Sequence, residues 1–112
     1  MTEVDAGLLP LIVIQPLVLL LSGLICRRAA SGRLGRNFMA GYRFRELLAS
    51  DEAWAAGHAA AERPSWIGFV LTTACAVLGL ARAPVLFAVE LAVFVACLGW
   101  AILAAIRAAA PR

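Results

Sequence analysis

Three long apolar runs constrain this chain more than any other feature of it. Leu8 to Cys26 holds 19 residues with only Gln15 and Ser22 notably polar, Trp66 to Ala81 holds 16, and Val85 to Ile106 holds 22 with one charge, Glu90. At about 1.5 Å per helical residue the first run reaches roughly 28 Å, close to the thickness of a bilayer's hydrocarbon. With 63% hydrophobic and 15% charged residues and a mean hydropathy of +0.90, the chain does not describe a soluble domain. The expected fold class is an all-α integral membrane protein with three transmembrane helices, at 8–26, 66–81 and 85–106. Residues 27–65 connect the first two, and 1–112 form one membrane domain.

In lipid such helices cohere by close packing and by mutual satisfaction of polar groups. Pro16 lies inside the first run and is expected to kink it. Thr72 and Thr73 can bond back to their own helix. Arg82, Ala83 and Pro84 form the break before the third helix. Small residues at four-residue intervals, Gly68-Thr72-Ala76 and Ala88-Ala92-Ala96, suit close packing within one subunit or between copies of the chain.

Charge sets the expected orientation. There is no lysine; seven arginines (27, 28, 33, 36, 43, 45 and 63) follow the first helix, Arg107 and Arg112 follow the third, and Arg82 stands alone opposite. Arginines near helix ends stay on the cytoplasmic side, so the N-terminus is expected outside and the C-terminus inside. The start, MTEVDAGL, is acidic where a cleaved signal peptide is basic, so the first helix is expected to remain as an anchor. The expected location is a bacterial inner membrane.

Chemistry is sparsely represented. Cys26, Cys75 and Cys97 fall one per helix without CxxC spacing, and His58 is the lone histidine, so neither disulfides nor a metal site is expected. Phosphate-cradling glycine motifs and a nucleophile elbow are lacking, and no enzyme activity or cofactor is expected. The net charge of +3 comes from arginines that topology already requires, so no nucleic-acid partner is implied.

The connection 27–65 is too long for a passive turn. RRAASGRLGRN reads as an irregular segment near anionic lipid headgroups. Ser50 is a candidate N-cap, because Asp51 and Glu52 follow where the helix dipole favours carboxylates. A short interfacial helix is expected from about Asp51 to Glu62, ended by Pro64. Trp54 and His58 share one of its faces, and Tyr42, Trp54 and Trp66 suit interfacial anchoring.

The spacing Asn37, Gly41-Tyr42-Arg43, Ser50-Asp51-Glu52, Trp54 and His58 resembles the SdpI-like family of bacterial membrane proteins. That pattern has an asparagine, a glycine–aromatic/aliphatic–arginine turn, a serine before an acidic helix start, and a tryptophan followed four residues later by histidine. The family turn often continues Arg-Thr-Pro, where this chain has Arg43-Phe44-Arg45. The family's prototype carries further membrane helices ahead of this region, so the resemblance implies the three-helix part. It implies a multipass plasma-membrane protein whose prototype confers immunity to a membrane-active peptide toxin and signals by holding a repressor at the membrane. The site residues implied are Asn37, Gly41, Tyr42, Arg43, Ser50, Trp54 and His58, as a platform binding lipid, a peptide toxin or a membrane-protein partner. Asn37 and Ser50 would fix the turn and the cap. Arg43 would offer a bidentate donor, with Glu46, Asp51 or Glu52 as its internal counter-ion.

Two other functions fit the residues. Glu90, a carboxylate inside a membrane helix, is a functional candidate by default. It lies about as deep from one surface as Gln15, close enough for a hydrogen bond, and would serve a small proton- or cation-coupled transporter. An accessory subunit of a larger membrane complex, or a homo-oligomer, is the third reading.

Overall fold

In the computed structural model, which describes residues 3–37 and 40–110, the chain is helical throughout its regular elements. Helix α1 spans Glu3–Ala30, the single-turn α2 Arg45–Leu48, α3 Asp51–Ala81 and α4 Leu86–Ala109. No strand occurs among the described residues. The three long helices are each long and apolar enough to cross a membrane. They make a bundle of 50 × 24 × 19 Å in which α3 is central, packed along both α1 and α4, which touch each other little. This is a multipass membrane protein.

The bundle is inverted relative to a soluble one. Leu11, Ile14, Leu17, Leu21, Val70, Val77, Leu91 and Val95 face outward, whereas Gln15, Ser22, His58, Ser65, Thr72 and Glu90 are buried. Apolar surfaces left outward and polar groups turned inward are what hydrocarbon surroundings select. On α1 the buried residues Ile12, Gln15, Leu19, Ser22, Cys26 and Ala29 recur at alternating three- and four-residue steps. Those steps keep one narrow stripe against α3.

Two expectations need correction. The short helix expected at 51–62 and the span 66–81 are one continuous helix, α3, and Pro64 lies inside it. Proline costs a helix its own N–H bond and crowds the preceding turn. Beside it the Ser65 hydroxyl donates to the Ala61 carbonyl at 2.8 Å, one more bond within the turn that Pro64 disturbs. The short helix is α2 instead, at Arg45–Leu48, where the Leu47 and Leu48 amides both donate to the Phe44 carbonyl. At 31 residues, α3 is about 46 Å long, so it extends well beyond a hydrocarbon layer of about 30 Å.

The other correction concerns a helix limit. α1 continues past Cys26 to Ala30 and carries Arg27 and Arg28 in its last turn, where the dipole favours cations. Of the two small-residue stripes, Gly68, Thr72 and Ala76 are buried within the subunit, whereas Ala88, Ala92 and Ala96 face outward from it. α4 instead buries Glu90, Cys97, Ala101, Ala105 and Ala109. Ala88 and Ala92 each sit two positions from Glu90, about 200° round the helix.

The break at Arg82-Ala83-Pro84 occurs where expected: the Arg82 and Ala83 amides close α3 on the Leu78 carbonyl, and the Leu86 amide bonds Ala83. At the opposite end of the bundle lies the best-packed region, a cluster of Cys26, Ala29, Leu47, Trp54, Ala61, Ala101, Ala105 and Ala109. The C-terminal ends of α1 and α4 and the first half of α3 therefore meet at one end, with α2 and the arginine-rich connection. Arg82 stands at the other. Arg112 lies outside the described residues.

Candidate functional site: a turn clamped onto the helix bundle

The polar connection closes onto the arginine-rich end through local devices the sequence encodes. Asn37 organises its entry: its side-chain carbonyl accepts the Ala40 amide at 2.7 Å and its amide group donates to the Gly35 carbonyl at 2.8 Å, the turn-forming habit of asparagine. Ser50 caps α3 as expected, its hydroxyl oxygen accepting the Ala53 amide at 2.9 Å. The cap fixes where α3 begins, and hence where Trp54 and His58 point.

Gly41 is the pivot. Its φ of +109° is a left-handed backbone that side chains disfavour. A Cβ there would also stand 2.5 Å from Trp54 Cη2 and 3.0 Å from His58 Nε2. Glycine lets the chain lie directly on the Trp54–His58 face of α3.

On that face His58 is fully buried and both its ring nitrogens are engaged. Nε2 accepts the Tyr42 backbone N–H at 2.8 Å, and Nδ1 lies 2.7 Å from the Trp54 carbonyl. An acceptor at Nε2 requires the proton on Nδ1, so the ring is the neutral Nδ1–H tautomer donating to Trp54. Trp54 is 2% exposed, stacks at a tilt 4.3 Å from the imidazole, and donates its indole N–H to the Leu34 carbonyl at 2.8 Å. It is a core residue holding the connection down, not the interfacial anchor expected of it. Trp66, half-buried, donates to Glu62 at 3.0 Å.

Tyr42 likewise turns inward, into a chain of hydroxyls. Its phenol oxygen is 2.6 Å from Ser22 Oγ on α1, which is 2.7 Å from Ser65 Oγ on α3. Counting protons fixes the direction. Ser65 spends its proton on the Ala61 carbonyl, so Ser22 donates to Ser65 and Tyr42 donates to Ser22. Burial pushes the Tyr42 phenol above its ordinary value of 10.0, against the opposing pull of Ser22, which keeps it a neutral donor. The turn is thus joined to α3 by the Tyr42 backbone and to α1 by its side chain.

Arg43 follows Tyr42 outward and lines an open cleft of about 580 Å³ with Gly35, Arg36, Asn37, Leu48 and Asp51. Asp51, a candidate counter-ion for Arg43, is held by Arg36, whose Nε donates to it at 2.9 Å while Nη1 donates to the Leu48 carbonyl at 2.9 Å. With side chains 41% and 86% exposed this pair is screened and contributes little to stability. It joins two residues that line the cleft.

Four of the seven expected site residues, Gly41, Tyr42, Trp54 and His58, therefore make one contiguous cluster. Asn37 and Ser50 shape the backbone beside it, and Arg43 faces the cleft. Ser22, Ser65, Leu34 and Gly57 were not anticipated as site residues. A Cβ on Gly57 would lie 2.6 Å from Leu47 Cγ and 3.0 Å from the Ala105 carbonyl, so this glycine lets α2 and α4 close on α3. Among the described residues no group of three or more histidine, cysteine or acidic side chains could hold a metal.

The sequence profile of the SdpI/YfhL protein family matches residues 33–106. The chain belongs to that family. The matched region takes in the turn, α2, α3 and most of α4, so every residue of the Gly41–Tyr42–Trp54–His58 cluster falls within it. Ser22, which receives the Tyr42 phenol, lies ahead of it on α1. No curated protein and no solved structure matches the chain.

Proposed function

We propose that this SdpI-like membrane protein is a binding protein whose arginine-rich end is a partner-docking platform, used for immunity to a membrane-active peptide or for membrane signalling. The observation that carries this reading is the rigid seating of the turn. Gly41 and Tyr42 are locked to both α1 and α3, and that seating presents the following residue, Arg43, beside Arg36 and Asn37 in the open cleft. Guanidinium groups gathered on the walls of one open cleft suit a carboxylate or phosphate on a partner. The lone histidine is committed to backbone at both nitrogens, which favours a structural over a catalytic use.

In this reading the N-terminus is outside, the cleft faces the cytoplasm of a bacterial cell, and anionic lipid headgroups border it. The test is survival of bacteria expressing the protein when challenged with a panel of membrane-active peptides. The wild type is expected to protect against at least one, and Arg43→Ala to lose that protection at an unchanged membrane level. Equal protection by Arg43→Ala, or none by the wild type against any peptide, would remove the immunity reading.

A further inference from the structure

At the end of the bundle remote from the turn, α1 and α4 enclose a pocket of about 230 Å³. Its walls are apolar, with Leu11, Ile12, Phe87 and Leu91 among them, except for Gln15 and Glu90. Glu90 is completely buried and Gln15 is 8% exposed. The expected hydrogen bond between them does not form: Gln15 Nε2 donates to the Leu11 carbonyl at 3.0 Å, and Gln15 Oε1 and both Glu90 oxygens have no partner. Buried oxygens of this kind cost several kcal/mol in hydrocarbon, typically about 1–3 each even where relaxation helps. One pocket thus presents three unsatisfied acceptors and an apolar lining.

We propose that the Gln15–Glu90 pocket binds a primary ammonium group carried on a short apolar chain. The match is one of valence and shape. An –NH3⁺ group has three donors and no acceptor, and it meets three acceptors here, one of them able to bear the compensating charge. The Gln15 amide nitrogen donates one of its two N–H groups to Leu11, while Oε1 keeps its acceptor capacity open. Three oxygens from two side chains are too few for the six or more that hard divalent cations take. Phe87 and the leucines would pack on the alkyl portion. The volume is below the roughly 300–1,000 Å³ of sites for drug-sized molecules, which limits the ligand to a small amine or the amine-bearing end of a larger molecule. That end could be a lipid's aminoethyl headgroup or a lysyl side chain, which share the chemistry.

The test is equilibrium dialysis of radiolabelled n-hexylamine against the purified full-length protein in phosphatidylcholine nanodiscs, with empty nanodiscs as the blank. Saturable binding of one amine per chain is expected, weakened at least about tenfold by Glu90→Gln and more mildly by Gln15→Leu. N,N,N-trimethylhexylammonium, which keeps the charge but has no N–H, is expected to compete poorly. Competition by the quaternary amine equal to that of hexylamine, or by sodium at similar concentration, would overturn the assignment. So would binding no greater than the blank, or binding unaffected in both variants. The quaternary and sodium arms need only the wild type, so a variant that fails to fold does not shelter the proposal. Repeating the measurement in phosphatidylethanolamine nanodiscs separates the sources. Weakened hexylamine binding there identifies the lipid headgroup as occupant, and unchanged binding identifies a soluble or peptide-borne amine.

Discussion

The backbone N–H of Tyr42 donates to Nε2 of His58 across 2.8 Å. Sixteen residues separate them in sequence, and the contact ties an irregular turn to the central helix. It also uses the histidine as a fixed acceptor, which a freely titrating imidazole would not provide. The Tyr42 side chain makes the second attachment, to Ser22 on α1.

Replacing Gly41 by alanine should be among the most damaging single changes in the connection. Alanine in a left-handed backbone costs about 1–2 kcal/mol, and here its methyl group also meets the Trp54 ring at 2.5 Å. Gly32 is the control: its φ is +82°, but a Cβ there meets nothing within 4 Å. Thermal unfolding in detergent should show Gly41→Ala clearly less stable than Gly32→Ala. Equal effects would mean that the turn is not seated on Trp54 and His58.

The hydroxyl chain predicts coupling between distant positions. Ser22→Ala leaves the Tyr42 phenol and the Ser65 oxygen each short of a partner and should cost about 1–3 kcal/mol. Tyr42→Phe removes the donor at the other end of the same bond. In a double-mutant cycle the two changes should be strongly non-additive, by about 0.5–3 kcal/mol, as expected of groups in direct contact. Additive effects would show that the turn and α1 are not joined here.

Tyr42 is the only tyrosine in the chain, so the tyrosinate absorbance reports it alone. Burial raises its folded-state value above the ordinary 10.0, which means the native protein holds this proton more tightly than the unfolded chain. The stability from this group is therefore fully present below about pH 10 and is lost as pH rises through the raised folded value. Titration of the folded protein should give a midpoint above that of the denatured chain. A midpoint at or below it would contradict an inward-facing phenol.

How far the sequence made this legible depended on whether the determining interactions were local. The three spans were readable because lipid demands long uninterrupted apolar runs, and the Arg82-Ala83-Pro84 break because proline and charge interrupt one. The Ser50 cap was equally local, since its partner is three residues on. Pro64 misled because a proline reads as a stop, whereas here it is buried inside a helix that continues for seventeen more residues and is held by packing against α1 and α4. Which of the two small-residue stripes packs inside the subunit was not legible, because in an alanine-rich helix several faces carry the same spacing, and it is Gly68-Thr72-Ala76 that is buried while Ala88, Ala92 and Ala96 face outward.

The site was only half legible for the same reason. Trp54 and His58 shared a face by helical spacing, and the family pattern pointed to Gly41 and Tyr42. Nothing local showed that Tyr42 would reach Ser22, twenty positions back, or that Ser22 would reach Ser65, forty-three positions on. Ser22 and Ser65 carry one usable signal, a small hydroxyl next to or within an apolar run, where hydrocarbon obliges it to find a partner.

The clamped turn is tested most directly by nuclear magnetic resonance of the ¹⁵N-labelled protein at neutral pH, observing the His58 ring nitrogens and the Tyr42 amide together. A nitrogen–nitrogen coupling across the Tyr42 N–H to Nε2 hydrogen bond is expected, with the ring proton on Nδ1. A protonated Nε2 with no such coupling would contradict the seating of the turn on the bundle, and with it the platform built there.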